Sequence, residues 1–167
     1  MRIIAGDLRG RRLHPPMGLP VRPTTDMARE ALFNILRNRV EFDQVSVLDL
    51  FSGTGAIGFE FISRGVKHVT SVELNPKCVD FQKRTAEEFG LNNFVALRMD
   101  AFNFLGRSRQ AFDIVFADPP YELKQFDIIP ELVLKSFLKP YGIFVLEHSK
   151  AHDFKSNPYF VEQRHYG

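Results

Sequence analysis

The chain has 167 residues, of which 44% are hydrophobic and 25% charged, a length that suits one domain with its own core. This composition excludes a disordered chain, and no apolar run approaches the ~20 residues that a membrane helix needs. The net charge is +2, but residues 1–22 hold five Arg and one acid. One cysteine and an N-terminus without a signal-peptide pattern predict a cytoplasmic protein with no membrane partner.

The predicted elements begin with residues 1–23, where repeated glycine and proline are typical of a short hairpin followed by an extended loop. Thr24 or Thr25 can cap a helix over about residues 26–38, where apolar residues recur at helical spacing. Strands and helices then alternate. We predict strands over Val45–Leu50, His68–Glu73, Phe94–Met99, Phe112–Ala117, Tyr141–Glu147 and Phe160–Tyr166. We predict helices over Ala56–Arg64, from Pro76 to the helix-ending Gly90, and over Asp127–Leu138.

This alternation predicts the α/β class, with an open and mostly parallel sheet covered by helices on both faces. In such sheets ligands bind beyond the carboxyl ends of the strands. The residues that follow each predicted strand are therefore the first candidates for a functional site.

A glycine loop follows the first strand, where Gly53, Gly55 and Gly58 complete a G-x-G-x-x-G pattern before a helix. Glu73 ends the second strand twenty positions after Gly53, an offset at which an acid can accept both ribose hydroxyls. A structural alternative is that Glu73 faces the positive end of the next helix dipole. The pattern favours a cofactor that carries a nucleoside, either a dinucleotide or S-adenosylmethionine.

Two further strand ends carry polar residues. Asp100 follows the third strand and could bind an adenine amino group or cap a helix. The run Asp118-Pro119-Pro120-Tyr121 follows the fourth strand. Its prolines fix the backbone and leave carbonyl acceptors, while the carboxylate and the aromatic ring suit an amino group on a flat base. The structural alternative is a proline-terminated strand with a surface tyrosine.

The N-terminal charge is carried by arginine alone, whose planar guanidinium suits phosphate. Phosphate or nucleic-acid binding and a solvated charged edge are both compatible with this segment. The arginines are Arg2, Arg9, Arg11, Arg12 and Arg22.

The glycine loop together with the Asp-Pro-Pro-Tyr run resembles S-adenosylmethionine-dependent amino-group methyltransferases, and the arm extends the likeness. Arg2-Ile3-Ile4-Ala5-Gly6, Arg9-Gly10-Arg11-Arg12-Leu13 and Arg22-Pro23-Thr24-Thr25-Asp26, with Arg29-Glu30-Ala31-Leu32-Phe33-Asn34 downstream, resemble the RsmD family. This resemblance implies a Rossmann-like class I methyltransferase fold. It also implies transfer of a methyl group from S-adenosylmethionine to the N2 amino group of a guanine in 16S ribosomal RNA. The implied partner is the small ribosomal subunit or its assembly intermediate.

The resemblance also implies two segments, an RNA-binding arm over residues 1–23 and a methyltransferase domain over residues 24–167. The implied cofactor pocket comprises Asp49, Phe51, Gly53, Gly55, Glu73, Leu74, Asp100 and Ala101. Asp118, Pro119 and Tyr121 are the implied catalytic residues, with Pro120 and the five arm arginines binding the substrate. No His/Cys cluster has metal-ligand spacing, so we expect no metal.

Three other functions remain open at this point. Methyltransferases of DNA adenine or of a protein glutamine also use a Pro-Pro-aromatic turn, although they typically carry Asn at the position of Asp118 and lack this arm. A nicotinamide-dependent oxidoreductase and a catalytically silent RNA-binding domain are the others. The resemblance implies seven strands, and six are predicted, so we expect about ten terminal residues of the fold to be missing from this sequence, a strand being ~5–6 residues plus its turn.

Overall fold

A computed structural model of the chain describes residues 1–21 and 24–166. Its centre is one parallel sheet of five strands in the order β3-β2-β1-β4-β5. The strands are β1 (Ser46–Leu50), β2 (His68–Glu73), β3 (Phe94–Arg98), β4 (Phe112–Ala117) and β5 (Leu138–Leu146). The strand order reverses between β1 and β4, which is where open α/β sheets form their ligand crevice.

In the described part of the chain, five helices cover the two faces of this sheet. They are α1 (Asp26–Leu36), α2 (Ala56–Ser63), α3 (Pro76–Glu88), α4 (Ala101–Arg107) and α5 (Ile129–Ser136), with short 3-10 turns over Phe42–Gln44 and Phe126–Ile128. Alternate strand residues point to opposite faces. Val47 and Ile114 therefore belong to a core cluster with α1, α2 and α3, whereas Leu48 and Val115 belong to a second cluster with α4 and α5. The predicted α/β fold is confirmed.

The structure also corrects several predicted elements. The helix α4 between β3 and β4 was not predicted. The helix predicted to reach Leu138 ends at Ser136, and β5 begins at Leu138 rather than Tyr141. Between its pairings of Leu138 with Phe112 and of Ile143 with Ile114, β5 makes a bulge in which Tyr141 has a φ of 65°. The proline and glycine of this segment mark that bulge rather than the strand's start.

The strand predicted over Phe160–Tyr166 is wrong. Among the described residues the sheet ends at β5, and residues 160–166 form no ladder with it. Their side chains are half-buried to exposed, and the backbone N–H of Phe160 donates to the carbonyl of Asn157 in a local turn. A strand exists only where a neighbour accepts and donates its backbone hydrogen bonds, and no described strand does so for residues 160–166.

The N-terminal hairpin is confirmed as a structural element. An antiparallel bridge joins Arg2 to Arg12, and the N–H of Leu13 donates to the carbonyl of Met1 at 2.9 Å. Ile3 and Leu13 are 1% and 2% exposed, so the hairpin adds to the core on the α1 and α2 face. Residues 1–13 are thus the hairpin part of the arm, which is predicted over residues 1–23.

The arm is held on α2 by buried polar groups. The carboxylate of Glu60 accepts the backbone N–H groups of Ile4 and Ala5 at 2.9 and 3.1 Å. The Ser63 hydroxyl accepts the N–H of Leu8 at 2.9 Å, and Gly6, at a φ of 86°, lies directly against the Ser63 carbonyl. Any Cβ at Gly6 would overlap that carbonyl, so only glycine fits the docked turn.

No described helix combines the length and apolar character needed to cross a membrane.

Candidate active site

The candidate site lies where the strand order reverses, at the carboxyl ends of β1 and β4. Leu50 and Ala117 are paired at the last position of these strands, and the N–H of Asp118 donates to the carbonyl of Leu50 at 3.4 Å. The N–H of Ser52 reaches across to the carbonyl of Val72 at 3.1 Å. The glycine loop and the Asp-Pro-Pro-Tyr turn therefore start side by side.

The glycine loop has a left-handed backbone. Phe51, Gly53 and Gly55 have φ values of 55°, 57° and 80°. Residues other than glycine are strained in this region of the backbone. A Cβ on Gly55 would lie 2.9 Å from the Gln82 side chain, and one on Gly58 would lie 2.9 Å from the Phe94 ring. The glycines thus serve both the turn and the close packing of α2 on its neighbours.

Glu73 holds this loop in place. Its carboxylate accepts the N–H of Gly53 at 2.7 Å, and the N–H groups of Leu74 and Asn75 at 3.0 Å each. Asn75, rather than Glu73, caps α3 by accepting the N–H groups of Lys77 and Cys78. The carboxylate is therefore oriented by the loop, and Leu74 beside it is 59% exposed.

The residues that follow β3 form a side of the candidate site next to the glycine loop. Asp100 caps α4 by accepting the N–H of Asn103 at 3.0 Å, so the capping role considered from the sequence is observed. Ala101 is the buried first residue of α4. The next residue, Phe102, places its ring edge-on to Phe51 with the centroids 6.1 Å apart. Phe102 was not singled out by sequence reasoning, and it extends the apolar wall beside the glycine loop.

A buried carboxylate lies beneath the loop. Asp49 is 1% exposed, and among the described residues its Oδ2 has no hydrogen-bond partner. Burial raises the pKa of Asp49 well above its ordinary value, and the negative charges of Asp118 and Glu73 raise it further. The charges of Asp118 and Glu73 thus make this edge of the sheet negative, which suits a positively charged ligand.

Gln82 is a site residue that sequence reasoning missed. It is fully buried on α3, and its amide Nε2 donates to the Gly53 carbonyl at 2.7 Å and to the Ser52 hydroxyl at 2.9 Å. Its Oε1 accepts the Ser71 hydroxyl at 2.6 Å. One side chain thus fixes the glycine loop to β2. The available signal was a glutamine on the face of α3 that also carries Cys78.

The Asp118-Pro119-Pro120-Tyr121 turn leaves β4 at the mouth of the crevice. Pro119 is buried, Pro120 is exposed, and Asp118 and Tyr121 are half-buried. The Pro120 carbonyl accepts the N–H of Leu123 at 3.1 Å. Among the described residues, no backbone N–H donates to the Pro119 carbonyl.

The arm arginines occupy a different part of the molecule. Arg2, Arg9, Arg11 and Arg12 are exposed, while Arg22 lies outside the described residues. Arg11 stacks over the Phe89 ring at 4.3 Å. The arm packs on the last turn of α2, whereas the glycine loop precedes its first turn. Arg2, Arg9, Arg11 and Arg12 therefore lie away from the catalytic edge. Among the described residues, no group of three His, Cys, Asp or Glu side chains could hold a metal ion.

Comparison with known proteins adds a family. The family model described as "Conserved hypothetical protein 95" matches residues 1–167. The chain belongs to this family. Ribosomal RNA small subunit methyltransferase D of Buchnera aphidicola subsp. Baizongia pistaciae is 31% identical over 90% of this chain and 77% of its own length. The protein of the same name from Haemophilus influenzae is 34% identical over 90% of this chain and 79% of its own length.

Solved structures agree with the fold of this family. The Escherichia coli protein yhhF, described as a candidate methyltransferase, superposes with a TM-score of 0.87 at 29% identity. The superposition covers 98% of this chain and 90% of that one. The predicted Rossmann-like methyltransferase fold and the resemblance to the RsmD family are both confirmed.

Proposed function

We propose that the protein transfers a methyl group from S-adenosylmethionine to the N2 amino group of a guanine in 16S ribosomal RNA. The observation that carries this proposal is the Asp118-Pro119-Pro120-Tyr121 turn at the end of β4, directly beside the glycine loop. The names of the curated relatives, which are small subunit ribosomal RNA methyltransferases, support the substrate class.

The cofactor is S-adenosylmethionine, and the residues of the site fit it. It supplies a methyl group on a positively charged sulfur, and the carboxyl groups of Asp49 and Glu73 at the strand ends suit such a cation. The orphaned Oδ2 of Asp49 leaves a buried acceptor for this charge or for its ammonium group. Glu73 and Asp100 would take the ribose and adenine ends, next to the Phe51–Phe102 wall.

The turn would hold the target base. The Asp118 carboxylate and the Pro119 carbonyl would each accept one N–H of the guanine amino group, and Tyr121 would stack on the flipped-out ring. These acceptors favour a pyramidal nitrogen, whose lone pair is then less delocalised into the ring. The Asp118 carboxylate would also stabilise the positive charge that develops on that nitrogen as the N–C bond forms and the sulfur–methyl bond breaks. The nitrogen would then lose one proton to solvent. Holding the nucleophile in this orientation accounts for most of the expected rate gain.

In this proposal residues 1–23 form an RNA-binding arm and residues 24–167 the catalytic domain. The exposed Arg2, Arg9, Arg11 and Arg12 would contact RNA phosphates, and Arg22 belongs to the same set by its sequence. A cytoplasmic location stays a prediction.

The test is methyl transfer to small ribosomal subunits from cells that lack the enzyme, with a tritiated cofactor and nucleoside mapping of the product. Wild-type protein is expected to label a guanine at N2, and Asp118→Ala to reduce turnover at least a hundredfold while changing cofactor affinity less than threefold. Asp43→Ala, at an exposed aspartate in the 3-10 turn, is the matched control. Label in DNA or protein instead of RNA would establish an alternative substrate, and activity of Asp118→Ala within a few-fold of wild type would refute the catalytic assignment.

A further inference from the structure

A cleft of about 390 Å³ lies between the arm and α1, away from the proposed catalytic edge. The arm forms one wall, α1 the other, and the residue after α2 closes the end. Its polar side chains are Arg2, Arg9, Glu30, Asn34, Arg37 and Arg64. Four guanidinium groups and one carboxylate thus line a single cleft.

The four arginines are not equivalent. Arg2 lies 3.7 Å from the Asp26 carboxylate, and the Nε of Arg64 donates to the buried Glu60 carboxylate at 2.9 Å. Within residues 1–21 and 24–166, Arg9 and Arg37 form no ion pair, and both are exposed. Two guanidinium groups from different segments therefore face the cleft without a partner of opposite charge. An anion that entered between them would satisfy both, and a planar guanidinium fork matches the oxygens of a phosphate.

The walls of the cleft are formed before any ligand binds. The backbone of residues 4 and 5 is fixed by the Glu60 carboxylate, and the N–H of Gly10 donates to the carbonyl of Ile3 at 2.9 Å. Arg37 directly follows α1, whose residue Phe33 packs edge-on against Phe61 of α2 at 4.6 Å. Binding of a ligand in this cleft would therefore lose little conformational entropy of the backbone, which favours binding.

The position of the cleft decides what it can bind. The helix α2 starts at the glycine loop and ends with Ser63, against which the arm is docked, so the cleft lies toward the amino ends of the strands. The base to be methylated, held at the carboxyl ends, cannot also occupy it. Only a remote part of a long anionic substrate could reach both places.

We propose that this cleft binds a backbone phosphate of the RNA substrate, remote from the target nucleotide, with Arg9 of the arm and Arg37, directly after α1, as its ligands. The inference rests on the proposed function for the identity of the polymer. It adds Arg37 to the substrate-binding residues, and it makes Glu30, the one acid in the cleft, an opposing group. The cleft anchors the substrate and leaves the methyl-transfer step to the other end of the sheet.

The experiment measures binding separately from turnover. Filter binding of 16S ribosomal RNA transcribed in vitro is followed against salt for Arg37→Ala, Arg9→Ala, Arg37→Lys and Glu30→Gln. Arg107→Ala is the matched control, because Arg107 is an exposed arginine on α4, across the sheet. Urea unfolding of each variant checks that the fold is intact.

We expect Arg37→Ala and Arg9→Ala each to weaken binding about three- to tenfold and to reduce the slope of log K against log salt by about 0.7–0.9. Arg37→Lys should fall between wild type and Arg37→Ala, and Glu30→Gln should bind more tightly. On small ribosomal subunits, KM should rise while kcat stays within twofold. Unchanged affinity and salt slope in Arg37→Ala, with an active wild-type enzyme, would overturn the cleft alone. Weakened RNA binding in that variant, with a wild-type protein that transfers no methyl group, would overturn the proposed function and leave the cleft standing.

Discussion

Replacing Glu60 with glutamine removes a buried negative charge beneath the arm while nearly keeping the side chain's shape. Glu60 is fully buried, and its Oε1 accepts the N–H of Ala5 at 3.1 Å and the Nε of Arg64 at 2.9 Å. Its Oε2 accepts the N–H of Ile4 at 2.9 Å and lies 3.8 Å from Nη1 of Arg29. Every group around the carboxylate is thus a hydrogen-bond donor.

The magnitude follows from this arrangement. In either orientation, the new amide places its own N–H donors against donors, so at least one hydrogen bond is lost. The larger effect falls on Arg29, which is fully buried and whose Nε and Nη1 have no hydrogen-bond partner among the described residues. Breaking a buried ion pair costs roughly 3–5 kcal/mol because it leaves a charge unpaired. Arg29 keeps Asp26 at 2.6 Å, so we expect the lower end, about 3 kcal/mol.

The assay is urea unfolding at pH 7, followed by circular dichroism, with the free energy of unfolding taken from the linear extrapolation. Glu87→Gln, at an exposed position on α3, is the control and should stay within about 0.5 kcal/mol of wild type. Because the arm loses its anchor, Glu60→Gln should also bind RNA more weakly. A loss of stability below about 1 kcal/mol would refute the buried network as the arm's main attachment.

Three further outcomes are expected. Gln82→Ala should weaken S-adenosylmethionine binding about tenfold in calorimetry, because the glycine loop loses two hydrogen bonds of roughly 0.5–1.5 kcal/mol each. The control is Lys83→Ala, at the exposed next position, and an equal loss of affinity in that variant would contradict the prediction. For Asp49 the raised pKa means that the native state binds a proton more tightly than the unfolded chain. The free energy of unfolding of the wild type should therefore fall relative to that of Asp49→Asn as pH rises above 3.8, the ordinary pKa of an aspartate. If the difference between the urea midpoints of the two proteins stayed constant from pH 4 to 8, this expectation would be wrong. Burial raises the pKa of Cys78 to about 11, so a disulfide reagent at pH 8 should modify it only after unfolding, and rapid modification of the native protein would count against its placement.

Much of the fold was predictable because its signals are local. The strands β1 to β4 lie within one residue of their predicted bounds, since short apolar runs are bounded by glycine, proline and helix-capping residues. Asn75 and Pro76 mark the start of α3, because asparagine is a preferred N-cap residue and proline a preferred first residue of a helix. The segment Phe160–Tyr166 shows the limit, because its composition favours a strand but only a neighbouring strand can pair its backbone.

The residues of the candidate site were likewise predictable only in part. The residues that directly follow β1, β2, β3 and β4 were predictable, because parallel strands bring their carboxyl ends to one edge whatever their side chains. Gln82 and Phe102 were not, because their contacts with the glycine loop depend on how α3 and α4 pack. The helix that Asp100 caps was not predicted, and its capping bond to Asn103 is seen only in the structure; the adenine contact of Asp100 stays a prediction.

Local residue patterns predict the α/β class, the glycine loop, the Asp-Pro-Pro-Tyr turn and the concentration of arginine in the arm, since each depends on neighbouring residues and their spacing. Only the tertiary structure decided where the arm lies, because a buried carboxylate on α2 accepts its backbone N–H groups from 55 and 56 positions away. That docking places Arg9 in one cleft with Arg37, away from the carboxyl ends of the strands. Hydrogen bonds and ion pairs across such distances are chosen by the packing of whole elements, which no local pattern encodes.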